Sequence, residues 1–326
     1  MKRWSLFGYL GSIALGFAVL AGCATLDEKQ RGWIFQPSDA SWGSSADMAR
    51  DMQDVWIDFD SAATGAPAKL HGLWLPADPA TPTWNGKAEA PLLLYLHGAR
   101  WNVAGSAPRI KRMQELGFSV LAVDYRGFGK SSPGLPSEKM AYEDARAAWN
   151  WMAAQHPGQP RYIFGHSLGG AIAIDLASKV DDEAGVIVEG TFTSILDVAS
   201  SMKWGWLPLA PLITQHFESV QKVGHLGSPL LVVHGSNDNL ILPALGRKLF
   251  EAAKGPKAFV LVEGGSHHNT MNLGQDQYRT ALAGLFGSAV LPSGVPGMPG
   301  APGVPGGPNG VIGLQAQAQS GSPPAN

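Results

Sequence analysis

Between residues 91 and 264, short apolar runs typical of β-strands alternate with longer stretches that have the apolar spacing of helices. The run PLLLYLHG at 91–98 is continuously apolar, as in strands that are buried on both faces of a sheet. The stretch SEKMAYEDARAAWNWMAAQ at 137–155 has helical periodicity, and Ser137 is a suitable N-cap residue. Because parallel strands must be joined by crossover connections, this alternation predicts an α/β fold with a mostly parallel sheet.

Eight strands are predicted in this chain. The first two, at 54–60 and 69–76, form an antiparallel pair that opens the sheet. A helix is predicted at 105–116, where Gly117 is a suitable C-terminal stop. The other predicted strands lie at 91–98, 119–125, 161–165, 185–190, 229–235 and 258–264.

The sequence RYIFGHSLGG places Ser167 where a predicted strand gives way to a predicted helix. A sharp turn there can lift the Ser167 side chain clear of the sheet, and Gly165 and Gly169 allow the backbones to approach closely. The amide of Leu168, at the helix N-terminus, would then point at a developing oxyanion. Glycine and serine also gather at ordinary turns, so this motif alone does not identify a nucleophile.

Asp238 and His267 each follow a predicted strand, as Ser167 does. Carboxyl ends of parallel strands meet at one edge of a sheet, so the three side chains are expected on the same edge. A serine nucleophile needs an imidazole to accept its proton and a carboxylate to orient that imidazole. The order Ser167, Asp238, His267 fits this chemistry. His268 remains an alternative base, and Glu189 an alternative acid.

A second donor for an oxyanion is expected from the loop after the run PLLLYLHG. This loop begins with the pair His97-Gly98, and the residue after that pair, Ala99, would donate its N–H. A plain β-turn is the alternative interpretation. In the motif DYRGFGKSS, Asp124 is expected to fix a loop through backbone amides, and the alternative is an acid catalyst. A phosphate-binding loop is rejected, because it would need glycine at position 124.

The N-terminus, MKRWSLFGYLGSIALGFAVLAGC, has the pattern of a bacterial export signal. Lys2 and Arg3 precede an apolar stretch that is shorter than the roughly 20 residues of a membrane span. The stretch ends in LAGC, which resembles a lipobox, so removal of 1–22 would leave a lipidated Cys23 as the first residue. Cys23 is the only cysteine in the chain. The alternative to lipidation is that Cys23 is buried in an anchor helix that is not cleaved. Because Ala24 follows it rather than Asp, we expect attachment to the outer membrane, facing the periplasm.

Two further segments are predicted outside the folded part of the chain, and only the second is predicted to carry no chemistry. Residues 23–30 are predicted to be a lipidated linker, and the Pro/Gly-rich segment 288–326 a disordered tail.

The formal net charge of −2 and the lack of long like-charge runs give no reason to expect a nucleic-acid partner. The histidines outside these motifs do not have metal-ligand spacing, so neither a metal nor another cofactor is expected.

The ordered motifs resemble those of the α/β-hydrolase superfamily. They are HGARWN, DYRGFGKSS, GHSLGG, VEGTFTS, WLPL…HFESV, PLLVVHGSNDNLILP and GGSHHN. The chain is most similar to the branch that contains serine-aminopeptidase-like and monoacylglycerol-lipase-like hydrolases and their depalmitoylase relatives. This resemblance implies an α/β-hydrolase fold with helices on both faces of the sheet. It also implies a triad of Ser167, Asp238 and His267, and an oxyanion hole formed by the amides of Ala99 and Leu168.

The resemblance further implies one hydrolase domain at 31–287, with a short cap insertion at 191–228. The cap contains WGWLPLAPLI, which could line an acyl pocket, rest against a membrane, or pack on the core as a helix. The expected function is a serine hydrolase that cleaves an acyl ester or thioester of a small molecule or lipid through an acyl-enzyme. The alternatives are a serine peptidase for short peptides and a non-catalytic envelope lipoprotein on the same scaffold.

Overall fold

The computed structural model describes residues 22–38, 45–81, 83, 89–202 and 206–287. The predicted signal peptide up to residue 21 and the predicted tail from residue 288 lie outside the described residues. The predicted linker at 23–30 is helical and is part of a helix over residues 22–35, called α1 here. Cys23, in the first turn of the described part of α1, is exposed.

Strands and helices alternate along the rest of the described chain. The strands are β1 (Gln53–Ser61), β2 (Ala66–Leu75), β3 (Leu92–Leu96), β4 (Ser119–Val123), β5 (Arg161–His166), β6 (Gly185–Glu189), β7 (Leu230–Gly235) and β8 (Lys257–Val262). The helices after α1 are α2 (Ser45–Ala49), α3 (Ala107–Glu115), α4 (Glu138–Gln155), α5 (Leu168–Ala177), α6 (Ile195–Ser201), α7 (Ser219–Lys222), α8 (Pro243–Ala252), α9 (Thr270–Leu273) and α10 (Gln275–Phe286).

The eight strands of the described residues form one sheet, in the order β1-β2-β4-β3-β5-β6-β7-β8. β2 pairs antiparallel with both β1 and β4. The pairs β3–β4, β3–β5, β5–β6, β6–β7 and β7–β8 are all parallel. The predicted antiparallel opening and the predicted mostly parallel sheet are therefore confirmed. The carboxyl ends of β3, β5, β6, β7 and β8 lie along one edge.

Most predicted elements differ from the observed ones by one to three residues at an end, as β3 and α3 illustrate. β3 starts after Pro91, which has no N–H to donate to a neighbouring strand, and it ends at Leu96. The predicted helix at 105–116 begins as a 3₁₀ turn, Val103–Ser106, and becomes α-helical only at Ala107. By contrast, α4 begins as predicted, because the Ser137 hydroxyl accepts a hydrogen bond from the Met140 amide at 3.2 Å.

The hydrophobic core lies on both faces of the sheet. In β3, Leu94 packs in the layer that contains α4, α5 and α8, whereas Tyr95 packs in the layer that contains α3 and α10. Successive side chains of a strand point to opposite faces, and every residue of β3 is buried. The continuously apolar run thus reflects burial on both sides, and the predicted helices on both faces are confirmed.

The segment between β6 and β7, called the cap here, contains α6 and α7. Residues 206–213 contain a 3₁₀ turn, Ala210–Leu212, and no α-helix, and none of their side chains is fully buried. A core-packed helix is therefore the wrong interpretation of this apolar stretch. Among the helices of the described chain, none combines the length and the apolar character that a membrane crossing requires.

Candidate active site

The turn between β5 and α5 consists of a single residue, Ser167, with φ 56° and ψ −121°. A non-glycine residue in this region is strained and must be held by its surroundings. A Cβ atom on Gly165 would collide with the backbone of Gly169, and one on Gly169 would collide with the Leu96 carbonyl. The two glycines therefore allow α5 to begin directly against β3 and β5. This turn leaves Ser167 at the carboxyl edge of the sheet.

The structure brings Ser167, His267 and Asp238 into one hydrogen-bonded row. The Ser167 Oγ lies 3.0 Å from His267 Nε2, and His267 Nδ1 lies 2.7 Å from Asp238 Oδ2. The other carboxylate oxygen, Asp238 Oδ1, accepts the amides of Leu240 and Ile241 at 3.0 and 2.9 Å. These bonds fix the carboxylate, which in turn fixes the imidazole, so the Ser167 hydroxyl can donate to His267 Nε2.

The Asp238 carboxyl group is stabilised in its ionised form. Burial alone would raise its pKa, but hydrogen bonds with His234 and His267 hold the pKa of Asp238 well below its usual range. An ionised carboxylate at this position favours a proton on Nδ1 of His267. It therefore leaves the Nε2 lone pair directed at Ser167.

The neighbouring histidine, His268, does not join this row. Its ring stands nearly perpendicular to that of His267, with the ring centroids 5.3 Å apart. Within the described chain, no hydrogen bond links the His268 ring to Ser167 or Asp238. Partial burial and the nearby His267 lower the pKa of His268. Of the two histidines that the sequence offers as the base, only His267 is thus hydrogen-bonded to Ser167 in the described chain.

Glu189, the alternative acid, is directed to a different partner. Its carboxylate is buried, accepts from Arg109 Nε at 3.2 Å and accepts from the Tyr278 hydroxyl at 2.5 Å. The same Arg109 donates through Nη2 to the carbonyl oxygens of His267 and His268, at 3.2 and 3.1 Å. Glu189 therefore supports the histidine loop through Arg109 rather than the imidazole of His267.

The sequence did not reveal this supporting cluster. Arg109 lies on α3 and Tyr278 on α10, and each is about 80 or more residues from Glu189. Neither stands in a motif, and no local pattern signals a contact over such separations. His166, beside Ser167, completes the cluster, with Nε2 3.0 Å from the His267 carbonyl oxygen. Burial and the positive charge of Arg109 hold the pKa of His166 far below its usual range, so its ring is neutral.

The two predicted oxyanion donors flank Ser167. Leu168 is the first residue of α5, so its amide has no acceptor within the helix. Ala99 lies in the loop after β3, and a Cβ atom on the preceding Gly98 would lie only 3.1 Å from the Cβ of Ser167. In the described chain, neither the Leu168 amide nor the Ala99 amide donates to a protein acceptor. Both are thus free to donate to an oxygen of a bound molecule.

Side chains below the loop after β3 hold it in place. Asp124 Oδ1 accepts the Val103 amide at 2.6 Å, and the Tyr125 hydroxyl donates to the His97 carbonyl at 3.0 Å. Burial opposes ionisation of Asp124, but hydrogen bonds with His71 and His97 lower its pKa. The geometry thus agrees with the expected loop-fixing role of Asp124. Two residues of the loop adopt left-handed backbone conformations, Arg100 at φ 71° and Trp101 at φ 56°.

A mainly apolar cavity of about 590 Å³ opens onto Ser167. The cap contributes Ile195, Val198 and Leu212, and α1 contributes Leu26 and Ile34. Arginine, histidine and amide side chains also line it, but none of its described lining residues is an aspartate or glutamate. The wall from α1 was not predicted. The sequence does contain a signal for this wall, because residues 26, 30, 33 and 34 have the spacing of one face of a helix.

Comparisons with known proteins place the chain among hydrolases. A sequence model of the family described as "Serine aminopeptidase, S33" matches residues 87–221. The uncharacterized protein MT2364 of Mycobacterium tuberculosis is 32% identical over 282 residues, which cover 82% of this chain and 90% of that protein. The lysophosphatidylserine lipase ABHD12 of Danio rerio is 30% identical over 208 residues, which cover 57% of this chain and 54% of that lipase. This chain thus matches about half the length of that lipase.

Solved structures share the fold at low sequence identity. The esterase Pf2001 of Pyrococcus furiosus superposes with a TM-score of 0.57 at 18% identity, over 78% of this chain and 98% of that esterase. The sheet order, the strand–Ser167–helix turn and these relatives agree with one another. The chain therefore belongs to the α/β-hydrolase superfamily and is a serine hydrolase that acts on acyl compounds.

Proposed function

We propose that this enzyme cleaves a carboxylic ester or thioester with an aliphatic acyl chain, using Ser167 as nucleophile, His267 as general base and Asp238 as the orienting acid. The observation that carries the proposal is the hydrogen-bonded row itself, with contacts of 3.0 and 2.7 Å, at the floor of an apolar cavity. An aliphatic chain fits a cavity whose walls are mainly apolar, because burying each CH₂ group contributes about 0.8 kcal/mol.

The proposed reaction proceeds through an acyl-enzyme. Ser167 Oγ attacks the acyl carbon while its proton passes to His267 Nε2, and the amides of Leu168 and Ala99 hold the oxyanion. The imidazolium, stabilised by Asp238, then protonates the leaving alkoxide or thiolate as its bond to the acyl carbon breaks. A water molecule next gives its proton to His267 and attacks the acyl carbon. The carboxylic acid leaves and Ser167 regains its proton.

The lining of the cavity favours an ester over an aminopeptidase substrate. An enzyme that holds a free amino terminus needs an acidic side chain near the scissile bond, and the described lining offers none. It offers Arg100 and Arg109 instead, which would repel an ammonium group. The relative named a lysophosphatidylserine lipase supports a lipid ester as the substrate class.

A graded series of p-nitrophenyl esters tests the substrate class. From acetate through butyrate to octanoate, kcat/KM is expected to rise, by up to roughly fourfold for each CH₂ that the cavity buries. Leucine p-nitroanilide, the amide control, is expected to be hydrolysed far more slowly than any of these esters. A flat chain-length profile, or faster cleavage of the anilide, would contradict the proposal. Failure of the folded protein to react with a fluorophosphonate probe would favour a non-catalytic lipoprotein.

The identity of the acid can be tested by a matched pair of amides. Asp238→Asn is expected to lower kcat about 10⁴-fold, because an amide at this position favours the wrong tautomer of His267. Glu189→Gln should lower kcat by no more than about 10²-fold, since Glu189 acts only through Arg109, and should mainly reduce the melting temperature. Kinetics on p-nitrophenyl butyrate and thermal unfolding of both variants give the comparison. A larger loss of kcat in Glu189→Gln would reassign the acid.

We also propose that Cys23 is lipidated and that the mature enzyme is attached to the bacterial outer membrane, facing the periplasm. The lipobox-like LAGC and the absence of any other cysteine support this proposal, and the exposed position of Cys23 is compatible with it. Mass spectrometry of the mature N-terminal peptide tests it. A peptide that begins before Cys23, or an unmodified thiol, would contradict the proposal.

A further inference from the structure

Exposed apolar side chains form part of the cavity lining. Ten large apolar side chains are exposed in the described residues, and four of them also line the cavity: Trp33, Met202, Leu212 and Leu240. Three more lie within a few residues of these in sequence: Trp206, Leu207 and Leu242. We call these seven residues the apolar rim. The remaining three, Trp56, Leu261 and Leu273, are elsewhere on the chain.

The rim is assembled from three separate segments. Trp33 comes from α1, Leu212 from the cap, and Leu240 from the loop that joins β7 to α8. Exposed apolar side chains scattered singly are ordinary on a protein surface, whereas a contiguous patch marks an interaction site. Because three segments contribute exposed apolar side chains at one opening, we interpret the rim as an interaction site.

The helix α1 is firmly joined to the cap and to the loop after β3. The Gln30 side chain donates to the Leu212 carbonyl and accepts the Thr214 amide at 2.9 Å. The Phe35 carbonyl accepts the Arg100 amide at 2.8 Å, and the Phe35 ring is fully buried. These contacts make α1 a fixed wall of the site. The orientation of its exposed Trp33 relative to the cavity is thereby set.

Cys23 lies on the same face of α1 as the residues that line the cavity. Positions 23, 26, 30, 33 and 34 recur at the spacing of one helical face, and Leu26 is about 4.5 Å along the helix axis from Cys23. A lipid on Cys23 would thus emerge beside the cavity mouth. This placement is a second line of argument, which rests on the proposed modification.

We propose that the apolar rim docks on the surface of a lipid bilayer, so that an acyl substrate passes from the bilayer into the cavity without crossing water. The inference rests on the proposed acyl-hydrolase function. Tryptophan suits this role because its ring prefers the boundary between water and lipid, and the rim exposes two of them, with Trp206 75% exposed. A protein docked on the rim would cover the cavity mouth, whereas a bilayer supplies substrate through it.

Site-specific fluorescence tests the docking directly. In the full chain, Cys23→Ser gives a cysteine-free background, in which Trp206→Cys or Trp56→Cys carries a nitrobenzoxadiazole label. Trp56 is the matched control, because it is an exposed tryptophan on the edge strand β1. On addition of phosphatidylcholine–phosphatidylglycerol vesicles, the label at 206 is expected to shift to the blue and to be quenched by nitroxide lipids, and the label at 56 is not. Equal responses at both positions, or no response at 206, would overturn the proposal.

Kinetics separate docking from chemistry. Trp206→Ser with Leu242→Ser removes two rim residues that do not line the cavity, and Trp56→Ser with Leu261→Ser is the control pair on the edge strands β1 and β8. The rim pair is expected to lower hydrolysis of a vesicle-embedded long-chain ester about tenfold or more, while hydrolysis of soluble p-nitrophenyl butyrate is unchanged. Equal loss in both pairs would overturn docking. Lack of butyrate hydrolysis by the unmodified enzyme would instead overturn the proposed function.

A second copy of the chain is the alternative occupant of the rim. Light scattering of the unmodified protein without vesicles distinguishes it. A monomer supports the bilayer as partner. A dimer that dissociates in the rim pair but not in the control pair would identify the second copy and overturn the proposal.

Discussion

Replacement of Ser167 by alanine is expected to lower kcat for p-nitrophenyl butyrate by roughly 10⁶-fold, which leaves only the rate due to binding and the oxyanion donors. The reason is that Ser167 Oγ, 3.0 Å from His267 Nε2, is the only nucleophile that the proposed row presents to a bound ester. A water molecule in its place would lack the position and the covalent step that the hydroxyl provides. Steady-state kinetics measure the loss of kcat, and fluorophosphonate labelling measures the loss of the nucleophile.

The same substitution should leave the fold intact. Alanine at φ 56° is as strained as serine, and the hydroxyl forms its one described side-chain bond with His267. The melting temperature of Ser167→Ala is therefore expected to stay within a few degrees of the unmodified protein. Ser236→Ala is a suitable control, because Ser236 is a loop serine that bonds Glu263 and the Gly264 amide. Activity in Ser167→Ala comparable to that of Ser236→Ala would remove Ser167 from the mechanism.

The fold could be predicted from sequence because its determinants are local. The run from Leu92 to Leu96 is apolar at every position because both faces of the sheet are covered. The five residues alone therefore indicate a strand that is buried on both faces. The N-cap at Ser137 likewise needs only neighbours within one turn. Where Ser167, Asp238 and His267 would meet followed from topology, since all three come after parallel strands.

The finer arrangement of the site could not be predicted in this way. The choice between His267 and His268 depends on how their loop is turned, and that depends on Arg109, about 160 residues earlier in the chain. The pairing of Arg109 with Glu189 is a tertiary contact between a helix and a strand end, with no trace in spacing or composition. The wall from α1 is an intermediate case. The face of α1 formed by residues 26, 30, 33 and 34 can be recognised from their spacing in the sequence. The surface on which this face packs cannot be recognised in that way.

Alanine substitutions at the two adjacent histidines are expected to differ by several orders of magnitude. His267→Ala removes the group that accepts the Ser167 proton and should lower kcat by roughly 10⁶-fold, about as much as loss of the nucleophile. His268→Ala should change kcat less than about tenfold, because the His268 ring is bonded to neither Ser167 nor Asp238 in the described chain and a general base must lie within hydrogen-bond reach. Kinetics on p-nitrophenyl butyrate measure both values.

The two variants also control for each other, because the Arg109 side chain contacts their loop only at backbone carbonyl oxygens. Arg109 donates to the carbonyl oxygens of His267 and His268, and both carbonyls remain after either substitution. A loss of activity confined to His267→Ala thus reports on the imidazole and not on a displaced loop. The double variant His267→Ala/Ser167→Ala should be no slower than either single variant, since residues that act as one unit are not additive. A deep loss in His268→Ala with activity retained in His267→Ala would transfer the role of base to His268.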